Sequence, residues 1–241
     1  WSRGLGDVYK RQGDTITGFA LLEVGVDTDD SGSNTFDSKL AYVGLDATVG
    51  QLSVGRQSHP FADNIGGKTS IFNVYGGSSD WNYASRSSNS LKFSTTQSGL
   101  TLDTIGIVDG SSTNTNAFDE FEVTISTKLF GSDISVGYAD DVNSDISYWG
   151  VAGSTDLGPL NMSSSYTIYD AATDKYGLEV TASYSILSVG YGDKEGTGLA
   201  YTAGVAHDLN DSLSVYAEGE MKDLDSGSDT TSWSIGSKFT F

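Results

Sequence analysis

From Ile16 onward, apolar and polar side chains change places residue by residue, in short runs that stop at clusters of Gly, Asn or Asp. That alternation puts successive side chains on opposite faces of a β-strand. The clearest run is 120–129, where Phe121, Val123, Ile125, Thr127 and Leu129 share one face and Glu122, Thr124, Ser126 and Lys128 the other. The same rhythm sets Ile16, Gly18, Ala20 and Leu22 against Thr17, Phe19, Leu21 and Glu23, and Leu91 and Phe93 against Lys92 and Ser94. Later, Tyr176, Leu178, Val180 and Ala182 oppose Lys175, Glu179, Thr181 and Ser183, and Leu213, Val215 and Ala217 oppose Glu218 and Glu220. The last run has Trp233, Ile235, Phe239 and Phe241 on one side and Ser232, Ser234, Lys238 and Thr240 on the other. About fourteen such segments follow one another, joined alternately by tight turns and by longer acidic loops, which predicts a meander of antiparallel hairpins.

One stretch, 57–89, does not alternate. It holds Pro60, the pairs Gly66-Gly67 and Gly76-Gly77, and Phe61, Phe72, Tyr75, Trp81 and Tyr83 at no steady period. A loop of such length is usually functional or disordered, and its bulky aromatics argue against disorder. The stretch is therefore expected to fold into the inside of the molecule.

Two architectures could use the alternation. In a sandwich the apolar faces meet in a core, and loops need not fall into two size classes. In a transmembrane barrel the apolar face meets lipid, the polar face lines the lumen, turns are short at one end and long at the other, and aromatics mark the interfaces. The two loop classes, the aromatics near strand ends and the number of strands favour the barrel, because so wide a soluble sheet leaves open edges. No apolar run is long enough for a membrane helix, which excludes nothing about strands.

Composition narrows the chemistry. The chain of 241 residues has no cysteine, so disulfides and thiolate metal sites are ruled out. Thirteen Lys and Arg against thirty-two Asp and Glu give a formal charge of −19, which makes nucleic acid a poor partner and cations a better one. Gly66-Gly67-Lys68-Thr69 has the ending of a phosphate loop, but Ala62 stands where that loop needs a glycine, and no helical pattern follows. His59 and His207 have no Ser or carboxylate at a diagnostic spacing, so no catalytic residue and no hydrolase is expected. The acids at 27, 29 and 30 and at 223, 225 and 229 do not match an EF-hand and read as solvated loops, with divalent bridging to anionic lipopolysaccharide as a further use. No metal site and no cofactor is expected.

Several segments together resemble the Gram-negative general porins. They are Ala41-Tyr42-Val43-Gly44-Leu45, Gly50-Gln51-Leu52-Ser53-Val54-Gly55-Arg56-Gln57, the loop with Phe72-Asn73-Val74-Tyr75-Gly76-Gly77, and the terminal Phe241 in phase with Phe239 and Trp233. The resemblance covers 14–241. It implies an all-β transmembrane antiparallel barrel with an inward-folded constriction loop at about 57–89, showing about fourteen of some sixteen strands. It further implies a homotrimer in the outer membrane, in contact with lipid and lipopolysaccharide, that passes small hydrophilic solutes and ions by diffusion. By position it makes Glu23 lumenal, assigns Arg56 and Arg86 to the basic side of the constriction, with Lys68 and Lys92 also in the lumen, and makes Trp233, Phe239 and Phe241 the assembly signature. Ser70 and Val74 stand where the family often has acids, which leaves Asp63 and Asp80 as the nearest carboxylates and predicts a weak transverse field. The acidic balance predicts cation preference. Arg56 shares parity with Leu52 and Val54, which predicts a bulge at Gly55 or a strand end inside the lumen.

The run Asp7-Val8-Tyr9-Lys10-Arg11-Gln12 is similar to the translated end of a sequencing adapter. On that reading 1–12 lie outside the fold, and two strands and a signal peptide precede the chain. The rival reading is an outer-membrane adhesin or a soluble all-β protein that binds through its acidic loops. The two part on where the apolar faces point.

Overall fold

The computed structural model describes residues 2–3, 11–12, 16–26, 36–77, 83–108, 118–141, 144–170 and 173–240. The strands are β1 (Ser2–Arg3), β2 (Arg11–Gln12), β3 (Ile16–Val26), β4 (Phe36–Ala47), β5 (Gly50–Ser58), β6 (Arg86–Gln97), β7 (Leu100–Ile107) and β8 (Glu120–Leu129). They continue with β9 (Ser132–Asp141), β10 (Ile146–Leu157), β11 (Leu160–Asp170), β12 (Lys175–Tyr184), β13 (Leu187–Lys194), β14 (Gly198–Asn210), β15 (Leu213–Leu224) and β16 (Thr230–Phe239). Between β5 and β6 lie a short helix, α1 (Pro60–Asn64), and a 3-10 turn, Gly66–Lys68. From β3 to β16 each strand pairs antiparallel with the next, in one sheet. Residues 2–3 and 11–12 lie along the free side of β3, with Ser2 opposite Val26 and Arg11 opposite Gly18.

The connections fall into two classes, as the loop chemistry predicts. Six hairpins close through two residues each: 48–49, 98–99, 130–131, 158–159, 185–186 and 211–212. Ser98-Gly99 and Phe130-Gly131 have positive φ at both positions, the backbone that a two-residue hairpin turn requires to match strand twist. At the opposite end the connections are longer, and the one between β5 and β6 is the longest.

Burial is inverted relative to a soluble protein. The best-hidden strand residues include Glu122, Thr124, Ser135, Thr167, Glu179 and Thr181, all at 3% exposure or less. Val54, Ile125, Val136, Trp149, Val151, Trp233 and Ile235 are exposed, the last two at 76% and 75%. On β8 the two sets alternate along one strand, with Glu122 and Thr124 in and Phe121 and Ile125 out. The apolar faces do not meet one another, which excludes a sandwich.

The stretch between β5 and β6 lies on the polar face and shows that the sheet is curled. It touches strands from β7 to β15. Ten inter-strand steps from β5 to β15 laid flat would span ~48 Å, whereas the residues from His59 to Asn73, two of whose segments are helical, reach only ~40 Å. The non-alternating segment is shorter than 57–89: Gln57 and Ser58 end β5, and Arg86 begins β6. The start of β6 is masked in the sequence because it is serine-rich and because Asn89, at φ 55°, breaks the period. The bulge expected at Gly55 is present: the β5–β6 register shifts between Gly55 and Gln57, and Gly55 has φ 135°.

Candidate functional site

The loop is fastened to the inner wall at its base, its middle and its tip. At the base, the buried His59 places Nδ1 2.7 Å from Glu122 Oε1 and 3.4 Å from Glu120 Oε1. Glu122 Oε2 accepts the backbone N–H of Phe61 at 2.9 Å, so both oxygens of a fully buried carboxylate are used. Burial alone would lower the His59 pKa, but the hydrogen bond and charge of Glu122, with Glu120 beyond, outweigh it and hold the imidazole above 6.5.

His59, Glu120 and Glu122 are the one group of three metal-ligating residue types gathered together among the described residues. Two donor atoms 2.7 Å apart would subtend only ~80° at an ion ~2.1 Å from each, well short of tetrahedral. The arrangement suits a proton better than a metal.

In the middle, Phe61 and Ile65 are fully buried against Ala139, Tyr148 and Ala152. Gly137 and Gly150 lie beneath them, and a Cβ on Gly150 would stand 2.7 Å from Ile65 Cγ2 and 2.8 Å from Phe61 Cζ. Paired glycines in β9 and β10 thus form the hollow that receives the helix. Asn64 Nδ2 donates to Asp103 at 3.1 Å and to Thr124 at 2.8 Å.

At the tip, Glu218 of β15 accepts from Asn73 N at 2.7 Å, Asn73 Nδ2 at 3.0 Å and Val74 N at 2.9 Å. Glu179 of β12 accepts from Gly77 N at 2.9 Å. The Phe72 ring lies over Gly190 and Gly204. The tip carries no acid at Ser70 or Val74, and the wall supplies the carboxylates that hold it.

Beside the loop, α1 and strands β3 to β7 enclose a recess of ≈ 260 Å³ that includes Phe19, Leu40, Tyr42, Asp63, Lys92 and Asp103. Lys92 Nζ donates to Ser58 O at 3.0 Å. Asp103 is engaged by Asn64 and Ser94. Enclosure raises the Asp63 pKa, and the charge of Lys92 opposes the rise.

Of the residues singled out in the sequence, Asp63 and Lys92 come together here, and Glu23 joins the same face through its register with Leu40. Arg56 does not stand with them. It is opposite Ala41, on the parity of Val54, and donates to Ser38 O at 3.0 Å and Ser88 Oγ at 3.4 Å. Arg86 is exposed opposite Ser58, at the long-loop end of β6. Lys68 closes the 3-10 turn and is half-buried. Trp233 and Phe239 are exposed on the outer face. Asp80 and Phe241 lie outside the described residues. The anchors Glu122, Glu179 and Glu218 were visible in the sequence as acids on polar strand faces, but nothing there marked their partners.

A single antiparallel sheet that is greasy outside, polar inside and crossed by a fastened loop defines an outer-membrane channel. The chain belongs to the Gram-negative porin family, whose model matches residues 12–237. In fold it is similar to Salmonella typhi OmpF in complex with daunomycin, at TM-score 0.79 and 17% identity, covering 96% of this chain and 88% of that one. It is also similar to the trimer form of OmpT from Vibrio cholerae, at TM-score 0.71 and 16% identity, covering 94% and 87%. A mutant of Rh. blastica porin aligns at TM-score 0.73 and 16% identity, covering 97% and 88%. No curated protein matches it in sequence.

Proposed function

We propose that this porin is a water-filled homotrimeric pore that passes small hydrophilic solutes by passive diffusion, favours cations and performs no chemistry. The observation that carries the reading is the loop pinned on the polar face by Glu122, Glu179 and Glu218, which narrows the passage without filling the recess between α1 and β3 to β7. Glu23, Asp63 and Lys92 face the diffusing solute in this reading, and Arg56 and Arg86 act near the mouth. Cation preference is supported by the formal charge of −19 and by Asp63 and Asp103 beside the passage. The outer acidic loops meet divalent ions and lipopolysaccharide. Reversal potentials across a planar bilayer under a salt gradient test the preference: a cation-selective sign is expected, and an anion-selective sign refutes it.

A further inference from the structure

Resting on the pore reading, we propose that the recess between α1 of the loop and strands β3 to β7 is a binding subsite for small zwitterions with an apolar side chain, amino acids with aromatic or branched side chains being the class that fits. Most of the residues that line this recess are polar, and three apolar or aromatic side chains stand among them. Phe19, Leu40 and Tyr42 form an apolar side to a recess of ≈ 260 Å³ whose other side carries Asp63 and Lys92.

The apolar side is built, not incidental. The Phe19 ring lies across Gly44, nearer than any Cβ at that position would allow, and meets Tyr42 edge to face with centroids 6.2 Å apart. A glycine in β4 is thus what lets the ring lie along the wall. A hydrated inorganic ion gains nothing from such a surface, since apolar area is relieved only by an apolar group.

The charged side is open to a ligand. Among the described residues the Asp63 carboxylate has no hydrogen-bond or ion-pair partner, and it forms no ion pair with Lys92 although both line the recess. Lys92 gives one N–H to Ser58 O, which leaves its other donors for a solute. A solute with an ammonium for Asp63, a carboxylate for Lys92 and an apolar side chain for the Phe19–Tyr42 surface satisfies all three at once. An amine alone or an acid alone satisfies two.

The test is ion-current block in planar bilayers containing the full chain, titrated with L-phenylalanine, glycine, phenethylamine and 3-phenylpropionate. Saturable block by L-phenylalanine is expected, about ten-fold tighter than by glycine. Phe19→Ser and Tyr42→Ser should each cut the phenylalanine-to-glycine ratio about three- to ten-fold, the ratio being read within each variant. Asp63→Asn should weaken phenylalanine and phenethylamine but not 3-phenylpropionate, and Lys92→Gln should do the converse. A conducting channel that phenylalanine and glycine block equally overturns the proposal, as does a ratio that neither Phe19→Ser nor Tyr42→Ser moves. A protein that conducts no ions overturns the pore reading itself.

Discussion

Glu218 Oε2 accepts the backbone N–H of Val74 at 2.9 Å, and the other oxygen of the same carboxylate accepts that of Asn73 at 2.7 Å. One buried acid on β15 therefore holds two consecutive amides at the loop tip, 144 residues away along the chain from Val74. Hydrogen bonds to a charged group contribute roughly 1.5 to 3 kcal/mol each, and their loss strands the amides. Glu218→Ala is expected to release the tip, raise open-channel current noise and lower the thermal midpoint of the folded protein. Noise equal to that of the parent in single-channel records would show that the tip is held elsewhere.

The hollow under α1 leads to a second expectation. Gly150 has no room for a methyl group, with Ile65 and Phe61 at 2.7 and 2.8 Å from where a Cβ would lie. Overpacking at such a site costs typically about 1 to 3 kcal/mol. Gly150→Ala should push the helix away from the wall, reducing both stability and conductance, whereas Gly158→Ala changes no packing because no atom lies within 4 Å there. The strain of a positive φ of 65° at Gly158 is confined to its turn. Conductance measured on both variants separates displacement of the loop from loss of fold.

The base of the loop should respond to pH through His59. Its folded pKa is held above 6.5 by Glu122 and Glu120 against burial, and Lys92 acts in the opposite direction. A raised folded value means that the charge-assisted contact is fully present below 6.5 and is lost as pH climbs through the raised value. Channel noise, or protease cutting in the loop, should therefore increase as pH rises through that window. His59→Asn should abolish the dependence. A dependence of opposite sign, or one that survives in His59→Asn, removes His59 from the explanation.

Much of the fold was legible because a period of two needs only the order of side chains. The faces of β8 could be read from Phe121, Glu122, Val123 and Thr124, and the structure turns them outward and inward in that order. Parity also exposed the conflict at Arg56, which the bulge beside Gly55 accommodates without bringing the guanidinium to Asp63. The site was less legible. Glu122, Glu179 and Glu218 bind main-chain N–H groups of the loop, and a main-chain donor is the same at every residue, so no spacing announces the pair. The apolar side of the recess was hidden for a different reason: Phe19 and Tyr42 fall on the polar parity of their strands, where an aromatic looks like noise in the alternation.

The direction of the apolar faces is tested most directly by moving a charge onto each side of one strand. Val151 of β10 is exposed between Val136 and Tyr166 on the outer face, and Ala152, the next residue, is buried on the inner face. An arginine on the lipid side near the bilayer midplane costs roughly 2 to 4 kcal/mol. Val151→Arg should lower the unfolding free energy of the protein in lipid vesicles by about that amount. Val151→Ser removes apolar area without adding charge and should cost less, about 1 to 2 kcal/mol. At Gln51, which lines the lumenal recess, Arg should leave stability in vesicles within about 0.5 kcal/mol of the parent and shift the reversal potential toward anions. Equal stability of Val151→Arg and Gln51→Arg in vesicles would mean that water, and not hydrocarbon, covers the exposed valines, and the channel reading would fall with that result.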